Sequence, residues 1–259
     1  MARALCLLAL WFAAMSPAPA MAQSVHAEDY DAFWLWAGVT PQPLLAKAHT
    51  LYILQGQIAA ARGGHGELRM IAQGPAVGPV RQGQKVWLVY RAHTLGWTPA
   101  IYAQMLARIG HWRAAGDPIA GVQVDFDART RHLDAYADFL REVRAHLPAE
   151  DRLSITGLLD WGGERDPADL NALGGVVDEM VIQTYQGRRT IPGYGAYLNR
   201  LDRLTFPFKI GLIQDGDWRA PADLASNPWF RGYVVFLKNE DSRPSPTTQA
   251  TSAFERFPR

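Results

Sequence analysis

Residues 121–127 read Gly-Val-Gln-Val-Asp-Phe-Asp, a short apolar strand that ends in two carboxylates. Side chains alternate along a strand, so Val122, Val124 and Phe126 share one face while Gly121, Gln123, Asp125 and Asp127 share the other. Taking a carboxylate out of water is costly unless it is paired, hydrogen-bonded or protonated. Two of them where a core would normally lie favour chemistry over packing, and neighbouring acids are suited to moving protons onto and off a bound substrate. The charge of one also helps to hold a proton on the other. A purely structural role has a definite form too: Asp125 would accept backbone N–H groups, and Asp127 would cap a helix starting near Thr130. With an inward Gln123 behind them, the pair points to a site.

Such a strand needs neighbours to hold it, and the chain supplies them as a repeated theme of apolar strand, turn and periodic helix. Strands are expected at 32–37, 50–54, 85–90, 121–127, 152–158, 179–185, 208–213 and 232–237, and helices at 99–115, 131–146, 167–173 and 194–204. Strands alternating with helices imply right-handed crossovers and a parallel sheet, and eight of them close a small (β/α)8 barrel. Two sections break the rhythm. Residues 57–79 contain Gly63-Gly64-His65-Gly66 and read as a hairpin rather than a crossover helix. After Leu237 the Pro-, Ser- and Thr-rich run 242–248 leaves the last helix short or missing.

The working end of such a barrel is the C-terminal end of its strands. There the sequence places Trp34 and Trp36, Gln55, Tyr90 and Arg91, Asp125 and Asp127, Asp160 and Trp161, Gln183, Tyr185 and Arg188, Gln214 and Asp215, and Lys238 to Glu240. Sugar rings have apolar faces and hydroxylated edges, so aromatic platforms among Gln, Asp and Arg suit a carbohydrate ligand. The same residues have plainer uses. Trp34 and Trp36 flank Phe33 and Leu35 in an apolar strand and fit a core, Tyr185 fits a core tyrosine, and Arg91 and Arg188 fit neutralising partners of the acids.

The first 22 residues have the form of an export signal: Arg3, an apolar stretch, then Ala20-Met21-Ala22 as a small-x-small cleavage pattern before Gln23. The apolar stretch is too short to span a bilayer. The expected organisation is therefore a signal peptide at 1–22, a barrel at 23–241 and a tail at 242–259, with no membrane insertion after cleavage. Cleavage removes one of 26 basic residues and leaves 25 against 25 acidic ones, which gives no electrostatic case for binding nucleic acid. It also removes Cys6, the only cysteine, and with it disulfides and thiolate chemistry. Export without disulfides fits a bacterial periplasm or exterior. The seven histidines show no metal-ligand spacing, so no metal or other cofactor is expected.

Phe33-Trp34-Leu35-Trp36, Leu51-Tyr52-Ile53-Leu54-Gln55-Gly56-Gln57 and the segments 121–127, 154–161 and 178–188 resemble the bacterial domain-of-unknown-function family 3142 over nearly all of the chain past the signal. That resemblance implies a glycoside-hydrolase-like barrel. A more distant similarity reaches the family 18 chitinase-like glycosidases, whose fourth strand carries Gly-x-Asp-x-Asp-x-Glu. Gly121, Asp125 and Asp127 fall on its Gly, middle Asp and Glu, while Gln123 replaces its first Asp. Of that family's Met-x-Tyr-Asp pattern, Gln183-Thr184-Tyr185-Gln186 keeps the Tyr. The similarity implies Asp127 as proton donor, Asp125 as its assistant and Tyr185 as a hydrogen-bond donor beside the reacting sugar.

The expected function is thus a secreted glycoside hydrolase acting on a polysaccharide. Asp127, Asp125 and Tyr185 would be catalytic. Trp36, Gln55, Tyr90, Arg91, Gln123, Asp160, Trp161, Gln183, Arg188, Gln214 and Glu240 would contact the glycan. The part of the second carboxylate would fall to Asp160, Asp215 or Glu240, or to the substrate's own amide. The alternative is a non-catalytic glycan-binding or polysaccharide-assembly protein on a degenerate hydrolase barrel.

Overall fold

The computed structural model describes residues 22–61, 67–74, 81, 83–126, 133–162, 167–199 and 201–239, without the side chains of 160, 162, 167–169 and 202. The signal, Asp127, Glu240 and the tail lie outside this set. Eight parallel strands close into a barrel: β1 (Ala32–Leu35), β2 (Thr50–Ala60), β3 (Lys85–Ala92), β4 (Ile119–Asp125), β5 (Arg152–Leu158), β6 (Glu179–Gln183), β7 (Phe208–Ile213) and β8 (Phe230–Phe236). Each pairs with the next in sequence, and β8 pairs with β1 through Val235↔Phe33 and Phe236↔Trp34 to close the ring.

Helices flank three consecutive joins. α1 (Pro99–Ala114) links β3 to β4, α2 (Leu133–His146) links β4 to β5, and α3 (Pro167–Leu173) links β5 to β6. Proline at the first position of α1 presets its φ where no N–H partner is needed. Ile101, Tyr102, Met105 and Ile109 repeat at helical spacing and are buried against the sheet. Leu133, Tyr136, Ala137, Leu140 and Val143 do the same for α2.

The irregular sections fall where the sequence breaks its rhythm. β2 runs six residues past the expected 54 and pairs with an antiparallel strand, Leu68–Ala72, so the second unit is a hairpin. The expected helix at 194–204 is divided into α4 (Tyr194–Leu198) and a 3-10 turn, Leu201–Arg203. A short hairpin, Tyr185–Gln186 with Arg189–Thr190, precedes α4. Between β7 and β8 there is no helix longer than a 3-10 turn, Leu224–Ser226, among the described residues. The N-terminal segment packs on this flank: Gln23–Ser24 pairs with Asp217–Trp218, Val25 N–H donates to the Gly216 carbonyl, and Asp215 N–H donates to the Val25 carbonyl. Tyr30 then meets Tyr233 of β8 edge-on at 5.6 Å.

Alternation sorts the strands into two cores. Trp34, Tyr52, Trp87, Val89, Val181 and Val234 fill the barrel interior, and Phe33, Leu51, Leu88, Val122, Val124 and Ile155 pack outward beneath the helices. Gly121 starts the inward row of β4, in register with Arg152. A Cβ there would lie 1.9 Å from the Arg152 carbonyl oxygen, so the close approach of β4 to β5 requires glycine.

The interior is not wholly apolar. Low in the barrel, Glu179 accepts hydrogen bonds from the Tyr52 hydroxyl (2.5 Å) and the Ser154 hydroxyl (3.2 Å), and pairs with Lys209 at 3.4 Å. Tyr52 lies flat on Trp87, with centroids 5.8 Å apart. Outside the barrel, Arg113 at the end of α1 binds Asp151 just before β5, and Arg144 of α2 binds Asp178 just before β6. Burial raises the Asp151 pKa above its ordinary value, and Arg113 acts to lower it.

A group with a raised folded pKa favours folding in its protonated form, so the penalty from Asp151 is complete at neutral pH and fades as pH falls toward its unfolded value near 3.8. Arg113→Ala removes the counter-charge. It is expected to cost about 2 kcal/mol at pH 7, less than for a fully buried pair because Arg113 is partly solvated. Urea unfolding at pH 7 and pH 4 should show a clearly smaller loss at the lower pH; equal losses would exclude Asp151 as the cause.

Candidate functional site

Asp125 is the last residue of β4 and points into the upper mouth of the barrel, only 4% exposed. Two neighbouring strands hold its two oxygens. Thr156 of β5 donates its hydroxyl to Oδ1 at 2.8 Å, and Arg91 of β3, its register partner, brings Nε to 4.0 Å from Oδ2. Arg91 also lies over Trp36, with Cζ 4.9 Å from the ring centroid. The guanidinium is thus set between an aromatic face and a carboxylate, an arrangement that fixes both rotamers. Hydrogen bonds to charged groups contribute about 1.5–3 kcal/mol each, enough to keep Asp125 in one orientation.

Tyr185 follows β6 across the mouth. Burial, and then the negative charge of Asp125, hold its pKa well above 10, while a hydrogen bond with Gln183 acts the other way. The phenol therefore keeps its proton at neutral pH and serves as a donor. Its ring packs on Phe236 of β8 at 5.4 Å, and Phe236 packs on Trp34 at 5.2 Å. Asp125 and these groups open onto a cleft of about 860 Å³, at the large end of the roughly 300–1,000 Å³ usual for ligand sites. Under its floor, among Gln123, Thr156, Gln183 and Tyr185, is a cavity of about 10 Å³, roughly the size of one water.

Of the residues expected at the mouth, Trp36, Arg91, Asp125, Gln183, Tyr185 and Arg188 line the cleft together. Gln123 lies one step deeper, its amide donating to the Ser154 hydroxyl at 3.0 Å. Tyr90 does not reach the mouth: Val89 and Arg91 take the inward positions, so Tyr90 is turned outward and fully buried in the outer core. Gln55 is displaced by a register shift between Leu54 and Gly56. It accepts from the Trp112 indole of α1 at 2.9 Å.

Trp161, on the 3-10 turn Leu159–Gly162, is folded back into the outer core and meets Tyr136 of α2 at 6.0 Å. Gln214 ties the rim, accepting from the Lys238 backbone N–H at 2.9 Å and bonding the Gln42 amide. Asp215, at φ 58°, pairs with Lys238 at 3.4 Å and is not among the groups lining the cleft. Asp160 is described only in its backbone, and Asp127 and Glu240 lie outside the described residues.

Three contributors went unnoticed in the sequence. Thr156 shares the inward face of β5 with Ser154, and that alternation was readable. Phe236 and Tyr197 carry no comparable signal, because one ends a strand of mixed pattern and the other sits on a five-residue helix.

Among the described residues no three acids, histidines or cysteines are grouped to hold a metal ion, and no helix is long and apolar enough to cross a membrane.

The closed ring of eight parallel strands, with its cleft at the C-terminal ends, defines an α/β barrel of the (β/α)8 type. Residues 94–197, from just before α1 to the end of α4, match the family described as "Domain of unknown function (DUF3142)", which bears out the family resemblance read from the sequence for this stretch, while the quoted segments 33–36 and 51–57 lie outside the match. No curated protein matches the chain. Among solved structures it is similar to the xylanase and α-amylase inhibitor protein XAIP-II from Scadoxus multiflorus, at TM-score 0.51 and 11% identity over 80% of this chain and 92% of that one. The related XAIP-I, solved with trehalose, gives TM-score 0.50 and 11% identity over the same shares of each chain. The Bacillus cereus spore cortex-lytic enzyme SleL gives TM-score 0.41 and 18% identity over 70% of this chain and 49% of that one. The chain spans about half the length of the spore cortex-lytic enzymes it matches.

Proposed function

We propose that this protein is an exported glycoside hydrolase that acts on a polysaccharide in the periplasm or at the exterior of a bacterium. The observation that carries the reading is Asp125, held by Thr156 and Arg91 at the floor of a large cleft that Tyr185 also lines. A sugar in that cleft would meet both the Asp125 carboxylate and the Tyr185 phenol. Asp127, two residues further along the chain, would protonate the departing glycosidic oxygen. Asp125 would steady that proton and the positive charge that grows on the sugar. Tyr185 would orient the reacting unit, and Gln183, Arg188 and Trp36 would bind it.

Digestion of a glycan panel by the chain beginning at Gln23, read as new reducing ends, tests the proposal. Cleavage of at least one glycan, lost in Asp127→Asn, is the expected result.

A second reading, glycan binding without turnover, draws on Gln123. A neutral amide engaged with Ser154 occupies the place where the family 18 pattern has a further carboxylate. Measurable binding with no cleavage of any glycan would favour it.

A further inference from the structure

α4 is short, yet it is fastened on two sides. Leu198 is buried, and the helix packs on the 3-10 turn Leu159–Gly162. Tyr194 lies nearly flat on Trp218, with centroids 5.1 Å apart and planes 19° apart, and its hydroxyl bonds the Arg219 backbone. Tyr197, between these anchors, is left out of the packing: it is 37% exposed, and Ile71 is the only other large apolar side chain exposed among the described residues. No ring pair or hydrogen bond within the described residues engages it, and it forms part of the cleft wall. Its exposure is therefore presented by a held element rather than left over from loose packing. Ligand clefts are lined by aromatic side chains, and an exposed ring held in a cleft wall is placed to meet a ligand.

The other aromatics of the cleft are already in use. Arg91 lies over the Trp36 ring, Tyr185 packs on Phe236, and Trp34 is buried among Trp36 and Phe236. Tyr197 is carried by a helix that follows β6 and packs on the turn after β5, whereas Trp36 follows β1 and Phe236 ends β8. The cleft of about 860 Å³ has more room than a single sugar ring fills, so a ligand that occupies it from Asp125 to Tyr197 is an oligosaccharide.

We propose that Tyr197 is a stacking platform for an outer pyranose ring, so that the cleft selects oligosaccharides over mono- and disaccharides. A flat phenol offers its face to the C–H groups of a sugar and its hydroxyl to a ring substituent. This inference rests on the glycan reading above, and its test separates the two.

The experiment is calorimetric titration of the chain from Gln23, carrying Asp127→Asn to suppress turnover, with β-1,4-linked N-acetylglucosamine and glucose oligomers of two to six units. Affinity should rise with length up to the unit that reaches Tyr197. Tyr197→Ala should then lose about tenfold in affinity for the longer oligomers and change little for the dimers, Tyr197→Phe should retain most of it, and Tyr197→Leu, of similar bulk without the flat ring, should behave like Ala. Unchanged melting temperatures are expected, since the side chain is exposed, and Leu serves if Ala fails to fold. Length-independent binding, or Tyr197→Ala and Tyr197→Leu that bind long oligomers as tightly as the parent, would overturn the platform alone. No binding of any oligomer would overturn both the platform and the glycan reading.

Discussion

Asp125→Asn is expected to leave the barrel folded and to lower turnover of the glycan by at least about a hundredfold, within the range of roughly two to four orders of magnitude that positioned acid/base groups contribute. Asparagine is nearly isosteric and can still accept the Thr156 hydroxyl through Oδ1. What disappears is the charge. Arg91 then faces a neutral amide at 4.0 Å, so the mouth becomes more positive where the proposed mechanism develops positive charge on the sugar. Tyr185 also loses the second contributor to its raised pKa, but burial still keeps it above 10, so its proton stays in place at neutral pH. Asp127→Asn should cut turnover by a similar two to four orders for a different reason, the loss of a transferable proton. Initial rates at saturating glycan, with melting curves as a folding control, check both. Wild-type turnover by a folded Asp125→Asn protein would remove this residue from the mechanism.

Lys209→Met carries the largest expected effect on stability, about 3–5 kcal/mol, because it removes the cation paired with the Glu179 carboxylate in the barrel interior. Both side chains are largely buried, at 14% and 9% exposure, so solvent screens the pair little. The Tyr52 and Ser154 hydroxyls still donate to Glu179, but neither supplies a charge. Adding Glu179→Leu should recover much of the loss, since an apolar pair of similar volume replaces a buried ion pair at little cost. Urea unfolding of the two variants measures this. A single variant as stable as the parent would show that the pair contributes nothing to the interior.

The barrel and the inward row of β4 were legible because they rest on periodicity: Val122 and Val124 are buried outward, and Gln123 and Asp125 face inward. The same rule argues against Tyr90 at the mouth, since Arg91 beside it already takes the inward place. Gln55 is a different kind of miss. A register shift at Leu54 and Gly56 changes the alternation, and no local residue pattern announces it. Trp161 follows a strand end, where rim residues belong, but a 3-10 turn returns it to the core. Thr156 shows that the partner of Asp125 lies on the adjacent strand, at a spacing that only register supplies. Tyr197 depends on how α4 is pinned, which is a tertiary fact.

The flank where Gln23–Ser24 pairs with Asp217–Trp218 has a temporal meaning. The first described segment can find its seat only after β7 has been made, and β1 can find β8 only later still. These unions join positions separated by nearly the whole described chain, so they carry a large entropic cost and come slowly. Until then the nascent polypeptide remains an open ribbon with β1 unpaired on one side. For a chain proposed to be exported, that order has a consequence: the segment just after the proposed cleavage point seats on the wall only once β7 and β8 have been made.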